Sequence, residues 1–333
     1  MLILELFFFL LLILVAAEVF VNALEHLGER LKISEGVTGS IFAAVGTALP
    51  ETLVPLLAIF AGTANSDVNH QIGVGAILGA PLMLSTLSLF LMTLAVWRRR
   101  GARGHLTPEK SGLKRDLDFF LVAFGLACVA LFVPHETAGV RVTLAFVMVL
   151  IYFFYVLLTL KASEKLVKDG HATEAHAPIL LARVGLPENL FTILLQLGVG
   201  LTLLITGAHG FIHGIEAASN LLGISPLLLS LMIVPIATEL PEKVNSILWI
   251  RRHKDTLAFG NITGAMVFQG TLLPAIGILL TPWVPQKEVF AGILITLAAT
   301  LWLRSMLARG QLRVWMLAVN GALYATYLAI ALA

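Results

Sequence analysis

Cysteine is almost absent from this 333-residue chain, and charge is scarce. The single cysteine, Cys128, has no partner for an internal disulfide and lies in an apolar run. That excludes a disulfide framework and a thiolate metal cluster. Charged residues make up 13% and apolar ones 58%, against about 25% and about 45–50% in soluble globular proteins. With a mean hydropathy of +0.93, this excludes a soluble enzyme, a disordered chain and a nucleic-acid binder. Neither sign of charge is in excess: 22 Lys and Arg stand against 20 Asp and Glu, for a net +2. The positions of the charges must therefore carry the information. No His-Glu-x-x-His or Ser/His/Asp spacing is present, which argues against a membrane enzyme. What remains is an all-α protein that crosses the bilayer many times.

A helix needs roughly 20 apolar residues to cross a bilayer core. Ten such stretches are read, near 2–24, 36–60, 70–97, 117–133, 140–160, 190–212, 225–250, 259–280, 288–305 and 311–332. The first has no basic leader and no small-residue cleavage site, so it is expected to be a span and not a removed signal. Cytoplasmic loops retain Lys and Arg. Alternate loops, taken on one side, hold 19 of the 22 basic residues, and the other side holds Arg141 and Lys287. Lys243 lies inside a span. The alternation predicts ten transmembrane helices with both termini outside, in a prokaryotic-type cytoplasmic (inner) membrane. The Arg98–Arg103 cluster reads as an anchor for anionic lipid.

The chain also contains itself twice. A shift of 191 residues lays 17–51 on 208–242 without a gap, with ten of 35 positions identical. The matches include Glu25/Glu216, Thr47/Thr238, Leu49/Leu240, Pro50/Pro241 and Glu51/Glu242. Five helices per copy is an odd number, so the second copy must enter the membrane upside down. The expected organisation is two inverted five-helix repeats, 1–160 and 190–333, joined by a cytoplasmic linker at 161–189. Inverted repeats build many secondary transporters, with the site near the midplane where they meet.

The repeated core reads Ala44-Val-Gly-Thr-Ala-Leu-Pro-Glu51 and Pro235-Ile-Ala-Thr-Glu-Leu-Pro-Glu242. A carboxylate in hydrocarbon costs about 2.5–3.5 kcal/mol even on insertion scales. Two at matched positions are poorly explained by packing alone. Pro50 and Pro241 remove a backbone donor and loosen the preceding turn. Carbonyls loosened in a membrane are tolerated where they are buried in protein or line a cavity. Thr47 and Glu51 are four apart, as are Thr238 and Glu242, so each pair shares a helix face. Hydroxyl, carboxylate and carbonyl oxygens on one face suit a hard cation such as Ca²⁺ or Na⁺. The blander alternative is that each glutamate is protonated and bonds a neighbouring helix.

These segments resemble the signatures of the sodium/calcium exchanger membrane region, in the calcium/cation antiporter superfamily. Its inverted repeats each carry a Gly-Thr-Ser-x-Pro-Glu helix, then a helix opening with Gly-Asn-x-x-Gly-Ser-Asn. The second element here is Gly260-Asn-Ile-Thr-Gly-Ala-Met-Val-Phe-Gln269, with a degraded counterpart at Ala76–Leu84. The resemblance implies that Glu51 and Glu242 ligate a central divalent ion, helped by Thr47 and Thr238. Ala48, Glu239, Ala80 and Ala265 stand where it has serines, and Leu84 and Gln269 where it has further Asn or Asp ligands. Gln269 keeps an amide oxygen, and Glu239 adds a carboxylate. The loss of the other oxygens implies weakened sodium sites.

Lys243 lies four residues after Glu239, the order that favours a helical ion pair. It is either a structural partner of Glu239 or a tethered substitute for a bound monovalent cation. Glu18, His209 and His213 are weaker candidates that face inward at best and could relay protons; a lone membrane His is as often a satisfied interhelical donor. Glu25 and Glu216 could draw cations to the mouths, and His171, Glu174 and His176 sit in the linker. The chain is thus expected to be a cation antiporter that takes no cofactor, exchanging Ca²⁺ against Na⁺ or H⁺ by alternating access. The rivals are a carrier for another cation and a non-transporting subunit that kept the fold.

Overall fold

A computed structural model describes residues 2–30, 48–167, 178–310 and 312–333. Among them every regular element is helical, and β contact is limited to one isolated bridge between His105 and Arg313. Seven helices are long and apolar enough to cross a membrane: Leu2–Leu27, Ser66–Arg100, Ala138–Ala162, Leu190–Leu222, Asp255–Leu280, Lys287–Ala308 and Val314–Leu332. Two further apolar helices, Leu49–Ala61 and Pro226–Ile236, are shorter. The apolar stretch at 117–133 falls largely in the helix Lys110–Ala130, whose first two turns are heavily charged. The stretch at 225–250 is divided at Glu239 into Pro226–Thr238 and Leu240–Arg251.

The helices group into two compact units, and each takes chain from both halves of the sequence. The first comprises Met1–Ser66 and Val156–Gly223, the second Asp67–Tyr155 and Ile224–Ala333.

Within the first unit, Leu2–Arg30 packs along Leu190–Leu222. Gly200, Gly207 and Gly214 are seven residues apart and meet Phe20, Ile13 and Leu6 in turn, also seven apart and descending. A Cβ added at Gly200 would come within 3.0 Å of the Phe20 backbone. The seam is therefore antiparallel, with apolar side chains lodged over glycines. Small residues at such positions let membrane helices approach closely. A polar knot closes the end of the seam near Leu180. There Gln196 donates to the Val19 carbonyl at 3.0 Å and to Asn22 at 2.8 Å, and Asn22 accepts from the Leu180 amide at 3.0 Å.

Within the second unit, glycine again sets the closest approach. Gly75 and Gly79, one turn apart on Ser66–Met83, lie against Pro226–Thr238. A Cβ on Gly75 would stand 2.5 Å from the Leu227 carbonyl oxygen, and one on Gly79 2.7 Å from Pro235 Cγ. The helix then widens into a π-helical turn, Leu84–Ser88. Asn320 donates to the Ser85 carbonyl there, at 2.8 Å. Two arginines that the loop pattern leaves at the surface are turned inward. Arg100, expected in the lipid anchor, pairs with Asp255 at 2.8 Å with both side chains buried. Asp255 is a buried carboxylate and needs a charge partner there. Arg141 is 4% exposed and donates to the Ile278, Thr281 and Pro282 carbonyls. It caps the end of Asp255–Leu280, where Pro282 has no amide to offer the Ile278 carbonyl.

Backbone contact at Gly75 leaves no room for a side chain. Gly75→Val should cost about 1–3 kcal/mol through overpacking, read as a lower unfolding midpoint in detergent. Gly125→Ala, at a helix position with nothing within 4 Å, should leave the midpoint unchanged or raise it.

Candidate cation site

Each Leu-Pro-Glu segment starts a helix. Leu49–Ala61 opens on Leu49, Pro50 and Glu51, and Leu240–Arg251 on Leu240, Pro241 and Glu242. Proline suits the first turn because the amides there lack intrahelical acceptors and its φ is already helical. The glutamate after it enjoys the positive pole of the helix. In the second copy another helix runs directly into this start. Pro241 withholds the amide that would bond the Ala237 carbonyl, and the chain leaves helical geometry at Glu239, φ −90° and ψ 5°. Helical bonds resume at once on both sides. The Glu239 amide donates to the Pro235 carbonyl at 3.2 Å, and the Lys243 amide to the Glu239 carbonyl at 3.1 Å.

This break gathers polar atoms in the interior of the second unit. Thr238, Glu239, Glu242 and Lys243 are buried, as is Gln269 on Asp255–Leu280. Gln269 Nε2 donates to Glu239 Oε1. A carboxylate oxygen of Glu239 lies within 4.8 Å of one from Glu242. The Thr238 hydroxyl donates to the Val234 carbonyl at 3.4 Å, which leaves its lone pairs available. Glu239 Oε2, Glu242 Oε2 and Gln269 Oε1 are buried and accept no hydrogen bond among the described residues. Each such oxygen costs about 1–3 kcal/mol unless a proton or cation completes it. The donor set is all oxygen, the preference of a hard cation.

Of the residues singled out from the sequence, Thr238, Glu239, Glu242 and Gln269 are thus brought together. Glu51 is buried in the first unit, at the start of its own helix. Thr47 lies outside the described residues, as do His171, Glu174 and His176. Ala80 is buried on Ser66–Met83, Ala265 half-buried on Asp255–Leu280, and Leu84 opens the π-helical turn. Lys243 donates to the Pro235 carbonyl at 2.8 Å and approaches the Met83 sulfur at 3.0 Å. Glu18, His209 and His213, read as facing inward at best, are exposed. The two histidines, four apart, meet at 3.2 Å, and His209 reaches the Ala61 carbonyl at 3.0 Å, at the end of the Glu51 helix.

Two contributors went unnoticed in the sequence. Asn261 donates at 3.0 Å to the Glu242 carbonyl and at 3.0 Å to the Ser246 hydroxyl, stitching its helix to the one that carries the glutamate. Its position directly after Gly260 in the second signature element was the available signal. Met83 carried none: its sulfur meets Lys243 through tertiary packing.

A sodium/calcium exchanger protein family profile matches residues 1–161 and 192–333. The chain belongs to the sodium/calcium exchanger family. CaxA of Alkalimonas amylolytica, provisionally named an antiporter, is 26% identical over 312 residues, which cover 91% of this chain and 89% of CaxA. Among solved structures, the H⁺/Ca²⁺ exchanger CAX superposes with a TM-score of 0.73 at 18% identity, covering 98% of this chain and 82% of CAX. The sodium-calcium exchanger NCX_Mj gives 0.58 at 21% identity, covering 99% of both chains. This member of the exchanger family is therefore a multi-pass membrane protein with the fold of these transporters. The family moves inorganic cations such as Ca²⁺, Na⁺ or H⁺, and its members are exchangers, not enzymes.

The Gln269 amide is the donor that Glu239 Oε1 receives from a neighbouring helix. Gln269→Leu keeps the volume and removes that donor. The unfolding midpoint in detergent without added divalent ion should fall, by an equivalent of about 1–3 kcal/mol.

Proposed function

We propose that this protein exchanges Ca²⁺ across a prokaryotic-type cytoplasmic membrane by alternating access, with protons carrying some or all of the counter-flux. The observation that carries the reading is the trio of buried, unsatisfied oxygens from Glu239, Glu242 and Gln269, in a chain of the sodium/calcium exchanger family. Oxygens left bare in a low-dielectric interior are a standing demand for positive charge. A divalent ion meets that demand in one state, and protons meet it in the other, because a buried carboxylate without a cation takes up a proton.

The ion is held by Glu51 and Glu242, one from each sequence copy, with Thr47, Thr238, Glu239 and Gln269 supplying further oxygens. The parallel placement of both glutamates in a helix's first turn after proline supports this pairing. The chain crosses the membrane ten times as two inverted repeats, 1–160 and 190–333, with 161–189 as a cytoplasmic linker and both termini outside. The lopsided distribution of Lys and Arg and the 191-residue repeat support that topology. Protons are favoured over sodium because Ala48, Ala80, Leu84 and Ala265 offer no side-chain oxygen. The H⁺/Ca²⁺ exchange named for CAX is the closer analogy on that ground.

Proteoliposomes loaded at one pH and diluted into another should take up Ca²⁺ along the proton gradient, and a sodium gradient alone should drive much less. Glu51→Gln and Glu242→Gln should each reduce uptake to background. Uptake strictly driven by sodium and indifferent to pH would overturn the proton coupling. Full uptake by both variants would overturn the site.

A further inference from the structure

His209 and His213 take no part in the carboxylate cluster, yet their geometry is specific. They lie four residues apart on Leu190–Leu222, so they share a helix face, and both side chains are exposed. Their rings meet edge to face, with centroids 4.6 Å apart and planes at 83°. The two Nε2 atoms stand 3.2 Å from each other. On the far side of its ring, His209 Nδ1 lies 3.0 Å from the carbonyl oxygen of Ala61. A carbonyl oxygen only accepts, so Nδ1 carries the proton and the neutral ring presents a bare lone pair at Nε2. Ala61 ends the helix that starts with Glu51, and the chain then runs on through Gly62-Thr63-Ala64-Asn65, the last two exposed. All of these residues belong to the first unit.

The spacing is that of two ligands on one ion. Two nitrogens bound to a tetrahedral Zn²⁺ at about 2.0–2.1 Å stand about 3.3–3.4 Å apart. At adjacent corners of an octahedral ion, about 2.1 Å away, they stand about 3.0 Å apart. The observed 3.2 Å falls between the two. A pair at i and i+4 on a helix is also the arrangement in which zinc is held by His-x-x-x-His. Metal-ligating histidines characteristically donate their other ring N–H to a carbonyl or carboxylate, which fixes tautomer and orientation. His209 already does so through Ala61.

We propose that His209 and His213 form a second ion site, which binds a borderline transition-metal ion such as Zn²⁺ or Ni²⁺ through the two Nε2 atoms. Without the ion, His213 Nε2–H donates to His209 Nε2. When the ion binds, that proton moves to His213 Nδ1, and water fills the remaining coordination positions. Imidazole suits such ions whereas Ca²⁺ prefers oxygen, so this site and the carboxylate cluster select different metals. The bound ion draws electron density from the His209 ring and strengthens its N–H bond to Ala61. Occupancy thereby pins the far end of the Glu51 helix. The inference goes beyond the exchange reading and stands without it.

The test uses the purified full chain in detergent, without an affinity tag. NiCl₂ should raise the unfolding midpoint of the unaltered protein by several degrees. Ni²⁺ binding followed by calorimetry should be at least about 10-fold weaker in His209→Ala and in His213→Ala, since each loses one arm of the chelate. Bound Cu²⁺ should show two imidazole nitrogens in its EPR spectrum in the unaltered chain and one in His213→Ala. Nickel should slow amide exchange over residues 58–65, and His213→Ala should lose that slowing. The response to CaCl₂ should be the same in all three proteins. Ni²⁺ affinity unchanged in both variants would overturn the proposal, as would a calcium response that is lost along with the nickel response. Nickel binding lost in both variants, with exchange over 58–65 indifferent to the ion throughout, would overturn the pinning of Ala61. If Ca²⁺ moves none of the three midpoints while Ni²⁺ behaves as stated, the calcium reading fails and the histidine site stands.

Discussion

A helix that ends inside a membrane protein leaves carbonyl oxygens that no water can satisfy, and the rest of this structure is arranged around that constraint. Among the described residues, two such ends are met by a long basic side chain of the same unit. Arg141 takes three carbonyls at the end of Asp255–Leu280. Lys243 reaches the last turn of Pro226–Thr238. Asn320 serves the wide turn at Ser85. These donors decide where a charged or polar side chain can be buried at all. A break without a donor would leave a buried carbonyl unsatisfied, at about 1–3 kcal/mol, so breaks and donors have to be read together.

Local chemistry was legible in the sequence wherever proline enforced it. Pro50 and Pro241 were legible as residues that loosen the turn before them inside a span; the structure goes further and places each, with its glutamate, in the first turn of a helix. Thr238, Glu239, Glu242 and Gln269 were readable as one group because three sit in one motif and the fourth closes the next. Lys243 was not. The i, i+4 rule that linked it to Glu239 assumes one unbroken helix, whereas Glu239 sits at the break itself and accepts from Gln269. An acceptor eight residues back, across a discontinuity, follows from no periodicity. The inward turn of Arg100 was equally hidden, because its partner Asp255 lies 155 residues away and was counted with another loop.

The two compact units and the two sequence copies answer different questions. The copies describe how the chain repeats, and the units describe which helices share a packed interior. Residues 17–30 and 208–221 match each other in the repeat, and both belong to the first unit. The Glu51 helix belongs there too, whereas Glu242 lies in the second. Matching positions of the repeat can therefore be divided between interiors. A division of this kind gives a transporter two bodies that each keep their own core.

The glycine seam of the first unit has a geometric corollary. Seven residues of an ideal helix turn through about 700°, some 20° short of two full revolutions. Contacts that recur every seventh residue, from Gly200 with Phe20 to Gly214 with Leu6, stay in line only if the two rods wind about each other with a left-handed sense. Over the fourteen residues between the outer contacts the accumulated winding is about 40°. Any lengthening of either rod between those contacts must then come in whole sevens. A single added residue would swing the remaining glycines about 100° away from the side chains they receive.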